Sequence, residues 1–213
     1  VMPDELDSIA MQEDTESLQD GERAMVRLPR GLKAGANVRK AGEDLRQGQE
    51  IFAPGHILRP QDLAALASIG HGTVKCFRRL RVGIVSSGDE IVRAGARELD
   101  IGEVYDANAP MLGALVGLTG AEVIDLGVWP DELDQVTRRL AGAARDLDVI
   151  LTSGGASQGE EDYMSAALAS LGSRHFWRIA VKPRRPMMFG QIDQAMMIGL
   201  PGNPVAVFVC FLM

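Results

Sequence analysis

Apolar positions are spread very unevenly along this chain. From Leu80 onward, short apolar runs alternate with amphipathic stretches. Val82-Gly83-Ile84-Val85, Glu122-Val123-Ile124-Asp125-Leu126 and Asp148-Val149-Ile150-Leu151-Thr152 are rich in β-branched residues and read as strands. Between them, Leu112, Leu115 and Val116 recur at helical spacing after Pro110 and stop at Gly120. Leu133, Val136, Leu140 and Ala144 share one face of a second helix, which Asp131 is expected to cap. A third helix is expected over 163–171. Repeated strand–helix units of this length predict an α/β fold, with a largely parallel sheet covered by helices on both faces.

Before Leu80 the pattern differs. Residues 1–47 are polar and interrupted by glycine, with short apolar pieces at Ile9-Ala10-Met11 and Ala24-Met25-Val26-Arg27-Leu28; short strands joined by turns, a small β-rich module, are expected. Gly48 to Leu58 reads as an extended, hairpin-like stretch. Arg59-Pro60-Gln61-Asp62 then opens a short helix that Gly70 closes.

Composition narrows the class. The chain has 213 residues and a formal charge of −7, which argues against nucleic acid as the main partner. Its 24 glycines and 10 prolines follow no period, so collagen-like and low-complexity readings fail. No run of eighteen apolar residues occurs, and the acidic start has neither the basic nor the apolar part of a signal peptide, so the chain is expected to be cytoplasmic and off the membrane. Two cysteines, Cys76 and Cys210, cannot build a zinc site or a disulfide framework, and both are expected to be packing residues. His56, His71 and His175 have no acid or nucleophile at a recognisable spacing. The pairs Met187-Met188 and Met196-Met197 read as core.

Parallel sheets bind ligands at the carboxyl ends of their strands, so the loops after strands are where chemistry is sought. Thr152-Ser153-Gly154-Gly155-Ala156-Ser157 follows a buried strand directly; it is either a tight turn or a loop whose glycines, amides and hydroxyls cradle a phosphate. Gly159-Glu160-Glu161-Asp162-Tyr163 comes next, its acids serving either as helix caps or, beside such a turn, as Mg²⁺ ligands. Ser86-Ser87-Gly88-Asp89-Glu90 repeats the combination at another strand end. Between Asp162 and Asp193 there is no acid, whereas Arg174, Arg178, Lys182, Arg184 and Arg185 all occur, a charge pattern suited to an oxyanion. Leu200-Pro201-Gly202-Asn203-Pro204 is a rigid turn leading into a helix start, which also favours an anion. Neither a Walker A loop nor a G-x-G-x-x-G opens any of these helices.

These loops, in this order, resemble the MoeA family of molybdopterin molybdenumtransferases, which includes the E domain of gephyrin. The resemblance is carried by Ser87-Gly88-Asp89-Glu90, Tyr105-Asp106-Ala107-Asn108, Thr152 to Ser157, Gly159 to Tyr163, Lys182-Pro183 and Leu200 to Pro204, with Asn37-Val38-Arg39-Lys40-Ala41-Gly42-Glu43-Asp44 upstream. It implies that residues 1–47 are part of a β-rich second domain and 48–79 part of a first domain. Residues 80–213 would then be the molybdopterin-binding domain, a three-layer α/β/α fold shared with MogA, MoaB and CinA-like proteins. A C-terminal β-barrel would be absent. It further implies a homodimer that takes adenylated molybdopterin and molybdate and, with Mg²⁺, releases AMP as molybdenum enters the dithiolene. Carried over by position, Asp162 and Glu90 would hold Mg²⁺, Asp131 would position substrate, and Lys182 would neutralise molybdate or phosphate. Asp44 would serve the partner subunit's site. Ser87, Gly88, Asp89, Thr152, Ser153, Gly154, Gly155, Ser157, Arg178, Arg185, Pro201, Gly202, Asn203 and Pro204 would line the pterin pocket. Arg184 and Arg185 depart from the family's usual Gly-Lys, and Ala206 from its usual serine. Two other readings stay open: a MogA- or CinA-like nucleotide- or pterin-processing enzyme, and a scaffold that binds the pterin without turnover.

Overall fold

The computed structural model describes residues 2–3, 5–154, 163–178 and 186–213. The chain forms two compact units, Val1–Val74 and Lys75–Met213.

The first unit is sparse in regular structure. Strands β1 (Glu16–Asp20) and β2 (Arg23–Arg27) make an antiparallel hairpin that turns at Gly21. Ile9-Ala10-Met11 is not a strand. The Ile9 N–H donates to the Ala36 carbonyl and Asn37 Nδ2 donates to the Ile9 carbonyl, so this piece is held by a turn and not by a ladder. The stretch Gly48 to Leu58 forms no hairpin either; Pro54-Gly55 bends it, with the His56 N–H donating to the Ala53 carbonyl, and it pairs with no strand among the described residues. Helix α1 (Pro60–Ser68) starts as expected. Pro60 occupies its first turn, where a missing N–H costs nothing, and Asp62 accepts from the Arg59 N–H. His56 does have an acidic partner: its Nε2 lies 2.8 Å from Asp62 Oδ2, six residues on. The carboxyl of Asp62 is held well below the usual range by hydrogen bonds from the Arg59 guanidinium and backbone, then from His56.

In the second unit the order is β3 (Arg81–Ser87), β4 (Ile91–Val92), β5 (Val104–Tyr105), α2 (Asn108–Leu118), β6 (Glu122–Trp129), α3 (Leu133–Asp146), β7 (Val149–Ser153), α4 (Tyr163–Leu171), β8 (Ser173–Arg178), β9 (Pro186–Ile192), β10 (Ala195–Leu200) and α5 (Pro204–Leu212). Six of these strands form one sheet in the order β6-β3-β7-β10-β9-β8. The first four run parallel, and β9 runs antiparallel to both β10 and β8, so β8 points the same way as the parallel set. The pairing of β6 with β3 slips by one residue between Ile84 and Val85, where Leu126 is bulged out and Gly127 takes a φ of 84°.

Each face of the sheet has its own core. Val85, Ile150, Met188 and Met197 pack with Val136 and Leu140 of α3 and Met164 and Leu168 of α4. Val82, Ile84, Leu151 and Leu200 pack on the other side with Leu112 and Val116 of α2 and Val207 and Cys210 of α5. The result is a three-layer α/β/α unit, as the alternating pattern predicts. Met188 and Met197 are core, but Met196 alternates outward and is exposed. Leu133 is exposed as well, since α3 begins only there. Cys76 is exposed rather than packed; residues 73–80 form no helix or strand, and the apolar neighbours Val74 and Phe77 are themselves exposed.

Candidate functional site

The carboxyl ends of the parallel strands finish level with one another. Ser86 of β3 pairs with Ser153 of β7, Ser153 with Leu200 of β10, and Ser87 with Trp129 of β6. Four connections, after β6, β3, β7 and β10, therefore leave the sheet side by side. Gly154 turns at φ 85°, and a Cβ there would lie 2.5 Å from the Ser87 carbonyl oxygen. The loops after β3 and β7 thus meet backbone to backbone, a contact that any side chain at 154 would break.

Carboxylates gather at this end. Asp131 does not cap α3, whose N-cap is Glu132; instead its Oδ1 accepts from Ser87 Oγ at 3.0 Å, while its N–H donates to Asp89 Oδ1 at 3.2 Å. The Glu90 carboxylate folds back over Gly88, its Oε2 2.5 Å from where a Cβ on that glycine would stand. Asp89 and Glu90 are exposed and Asp131 is partly buried, and among the described residues none of the three has a basic partner. Unneutralised like charges in one place favour a cation or a cationic ligand. Among the described residues no three His, Cys, Asp or Glu side chains converge to hold a metal ion by themselves. The donor set that is present, carboxylates alone, suits a hard cation that completes its shell with ligand and water oxygens.

A second cluster lies at the same end on the opposite face of the sheet, since Ser86 and Ser87 are successive residues of β3. Asp106, buried, accepts from Ser86 Oγ at 2.7 Å and from the N–H groups of Asn108 and Ala109 at 3.1 and 3.0 Å. Arg93 reaches the same carboxylate at 3.2 Å and also pairs with Asp125. Ser86 Oγ lies 3.3 Å from Ser153 Oγ. Asn108 Nδ2 donates to the Gly202 carbonyl at 2.8 Å, fixing the amide's orientation; among the described residues its buried Oδ1 and the fully buried Thr152 hydroxyl have no partner. Buried polar atoms left unpaired are costly, so two at one sheet end mark where ligand or solvent atoms belong. Asp106 and Arg93 carry no assigned role in the sequence reading. The available signal was a short acid immediately before an apolar helical repeat, the pattern of an N-terminal cap.

Of the expected site residues, Ser87, Gly88, Asp89, Glu90, Asp131, Thr152, Ser153, Gly154, Pro201, Gly202, Asn203 and Pro204 all belong to this end of the sheet. Asn203 spends its side-chain oxygen on the Ala206 N–H, capping α5. Asp44 lies in the first unit, paired with Arg39 at 2.8 Å. Arg178 ends β8. Gly155, Ser157, Asp162, Lys182, Arg184 and Arg185 lie outside the described residues.

Comparison with known proteins agrees with this geometry. Residues 83–213 match the family model described as "Probable molybdopterin binding domain", and residues 1–70 match "MoeA N-terminal region (domain I and II)". The molybdopterin molybdenumtransferase of Haemophilus influenzae is 39% identical over 99% of this chain and 51% of its own length. Two crystal structures of the molybdopterin biosynthesis MoeA protein of Pyrococcus horikoshii align with TM-scores of 0.73 and 0.71 at 30% and 28% identity, covering 97% of this chain and 50% and 48% of theirs. The chain spans about half the length of these relatives. With its larger unit matched by the one model and its smaller unit by the other, the chain belongs to the molybdopterin-binding MoeA family.

Proposed function

We propose that this chain is the pterin-binding part of a molybdopterin molybdenumtransferase, a cytoplasmic homodimer that converts adenylated molybdopterin and molybdate to molybdenum cofactor and AMP. The observation that carries this reading is the strand-end site, where carboxylates without a basic partner and a buried Thr152 hydroxyl without a hydrogen-bond partner, both among the described residues, lie within the family-matched unit.

Thr152 can donate to a phosphate oxygen, and Gly154 brings the backbone within reach of it. Asp131, anchored through Ser87, has its second oxygen left to orient substrate. Glu90 and Asp162 are the Mg²⁺ ligands; when bound, the ion supplies charge neutralisation at the phosphates of the adenylate. Topology favours the basic segment as the oxyanion partner. Because β8 runs with the parallel strands and β9 against them, Arg178 ends β8 and Pro186 opens β9 at the ligand end; Lys182, Arg184 and Arg185 are assigned to the oxyanion by their charge. Asp44 is assigned to the partner subunit's site.

The test uses the full-length protein with adenylated molybdopterin, molybdate and Mg²⁺, following AMP. Release that depends on Mg²⁺ and is abolished by Asp162→Asn is expected; undiminished turnover in that variant overturns the assignment of Asp162. Tight pterin binding with no AMP release identifies a scaffold instead, and activity only with ATP and free molybdopterin identifies an adenylyltransferase.

A further inference from the structure

Among the described residues, Asp106 is the most heavily engaged acid at the ligand end of the sheet. Its Oδ1 accepts two backbone N–H groups at the start of α2, and its Oδ2 accepts from Ser86 Oγ and Arg93 Nη1. With four donors on two oxygens its acceptor capacity is filled, which leaves nothing for a metal or a substrate proton. Its partners reach the ends of three of the site's strands. Ser86 continues into Ser87-Gly88 and faces Ser153 at the end of β7, while Asn108, whose N–H it holds, grips the Gly202 carbonyl after β10. Arg93 closes the arrangement from outside, bridging to Asp125 on β6.

We propose that Asp106, held in place by Arg93, is the positioning residue that fixes the carboxyl ends of β3, β7 and β10 relative to one another. One buried carboxylate sets the spacing of groups contributed by three strands, in the way that a rigid supporting shell fixes a site. It acts through Ser86 and Asn108 and does not touch the ligand. The kinetic part of its test rests on the transferase reading; the structural part does not.

The variants Asp106→Asn and Arg93→Met are made in the full-length protein and examined by hydrogen–deuterium exchange and by AMP release. Segments 84–92, 149–154 and 198–206 are expected to exchange at least about tenfold faster in both, with α3 and α4 unchanged. The value of kcat/KM should fall about 100-fold, as expected when reacting groups are displaced by about an ångström. The partial variants separate the arms: Ser86→Ala should loosen 84–92 and 149–154 only, and Asn108→Ala 198–206 only. Unchanged exchange at the three segments, or equal acceleration throughout 75–213, overturns the proposal. Should Asp106→Asn not fold, Arg93→Met carries the test, since it leaves Asp106 its bonds to Ser86 and the helix start. If the unaltered protein releases no AMP, the transferase reading fails and the exchange pattern still decides the positioning role.

Discussion

The two ends of the same parallel sheet treat charge in opposite ways. At the end where the strands begin, Asp148 receives both guanidinium arms of Arg78, at 2.5 and 2.6 Å, and the Arg81 N–H at 2.8 Å, while Arg81 also lies 3.8 Å from Glu122. At the end where the strands finish, Arg93 neutralises Asp106, but Asp89, Glu90 and Asp131 stand together with no basic partner of their own among the described residues. The first arrangement ties β3 to β7 and serves stability. The second leaves repulsion in place, which a protein tolerates where a ligand relieves it. Charge balance at each end, rather than the number of charges, separates scaffold from site.

The largest effect is expected from Glu90→Gln, which removes one carboxylate from the unbalanced end. AMP release should fall by about 100-fold or more, by analogy with the loss of one preorganised charge-stabilising group. The melting temperature should hold or rise. A variant that keeps its turnover and loses stability would reverse the assignment of the two ends.

Next is Asp148→Asn at the opposite end. Its carboxyl is held down at about 2, first by the Arg78 side chain and then by the Arg81 backbone, against an ordinary 3.8. Glu103 is likewise held at about 2, against 4.5, chiefly by Arg97. A depressed carboxyl stabilises the fold while ionised. Its contribution is complete above the unfolded value and drains away as pH falls from about 4.5 toward about 2, because the unfolded chain takes up protons first. Asp148→Asn should lower the melting temperature by several degrees at neutral pH, flatten the acid limb of stability between pH 4 and 2, and leave kcat unchanged. A melting profile against pH, taken beside the AMP assay, reads all three.

The smallest effect belongs to Glu122→Gln. Arg81 and Glu122 are 3.8 Å apart, with Glu122 exposed and Arg81 partly so, and water screens the pair. A change under about 0.5 kcal/mol in urea unfolding is expected. A larger loss would show that the strand-start end works as a network and not through Asp148 alone.

The strand–helix alternation from Leu80 was legible because each element writes its burial into a local period. β7 and α4 appear where Asp148 to Thr152 and residues 163–171 promise them, and the Pro60 and Pro204 helix starts are set by local stereochemistry. Asp131 was misread for the same reason. An acid before a helical repeat looks like a cap, but α3 starts two residues later and Asp131 is drawn to Ser87, 44 residues earlier. The role of Asp106 was not legible, since its partners lie 2, 3, 13 and 20 residues away and only folding brings Arg93 and Ser86 to the same carboxylate. Cys76 and the stretch 48–58 failed on a related point: apolar neighbours in sequence predict burial only where an element exists to be buried.

The bulge at Leu126 has a consequence for neighbours outside the molecule. β6 is an edge strand, and an edge offers unpaired N–H and C=O groups to any passing strand. Here the register slips midway, Gly127 bends the backbone, and the Asp125 carboxylate is occupied by Arg93 and by the Gly127 N–H. A second sheet approaching this edge would meet a broken ladder flanked by charge. The kink therefore acts as a guard against edge-to-edge aggregation, and replacing Gly127 with a β-branched residue that straightens the strand would remove it.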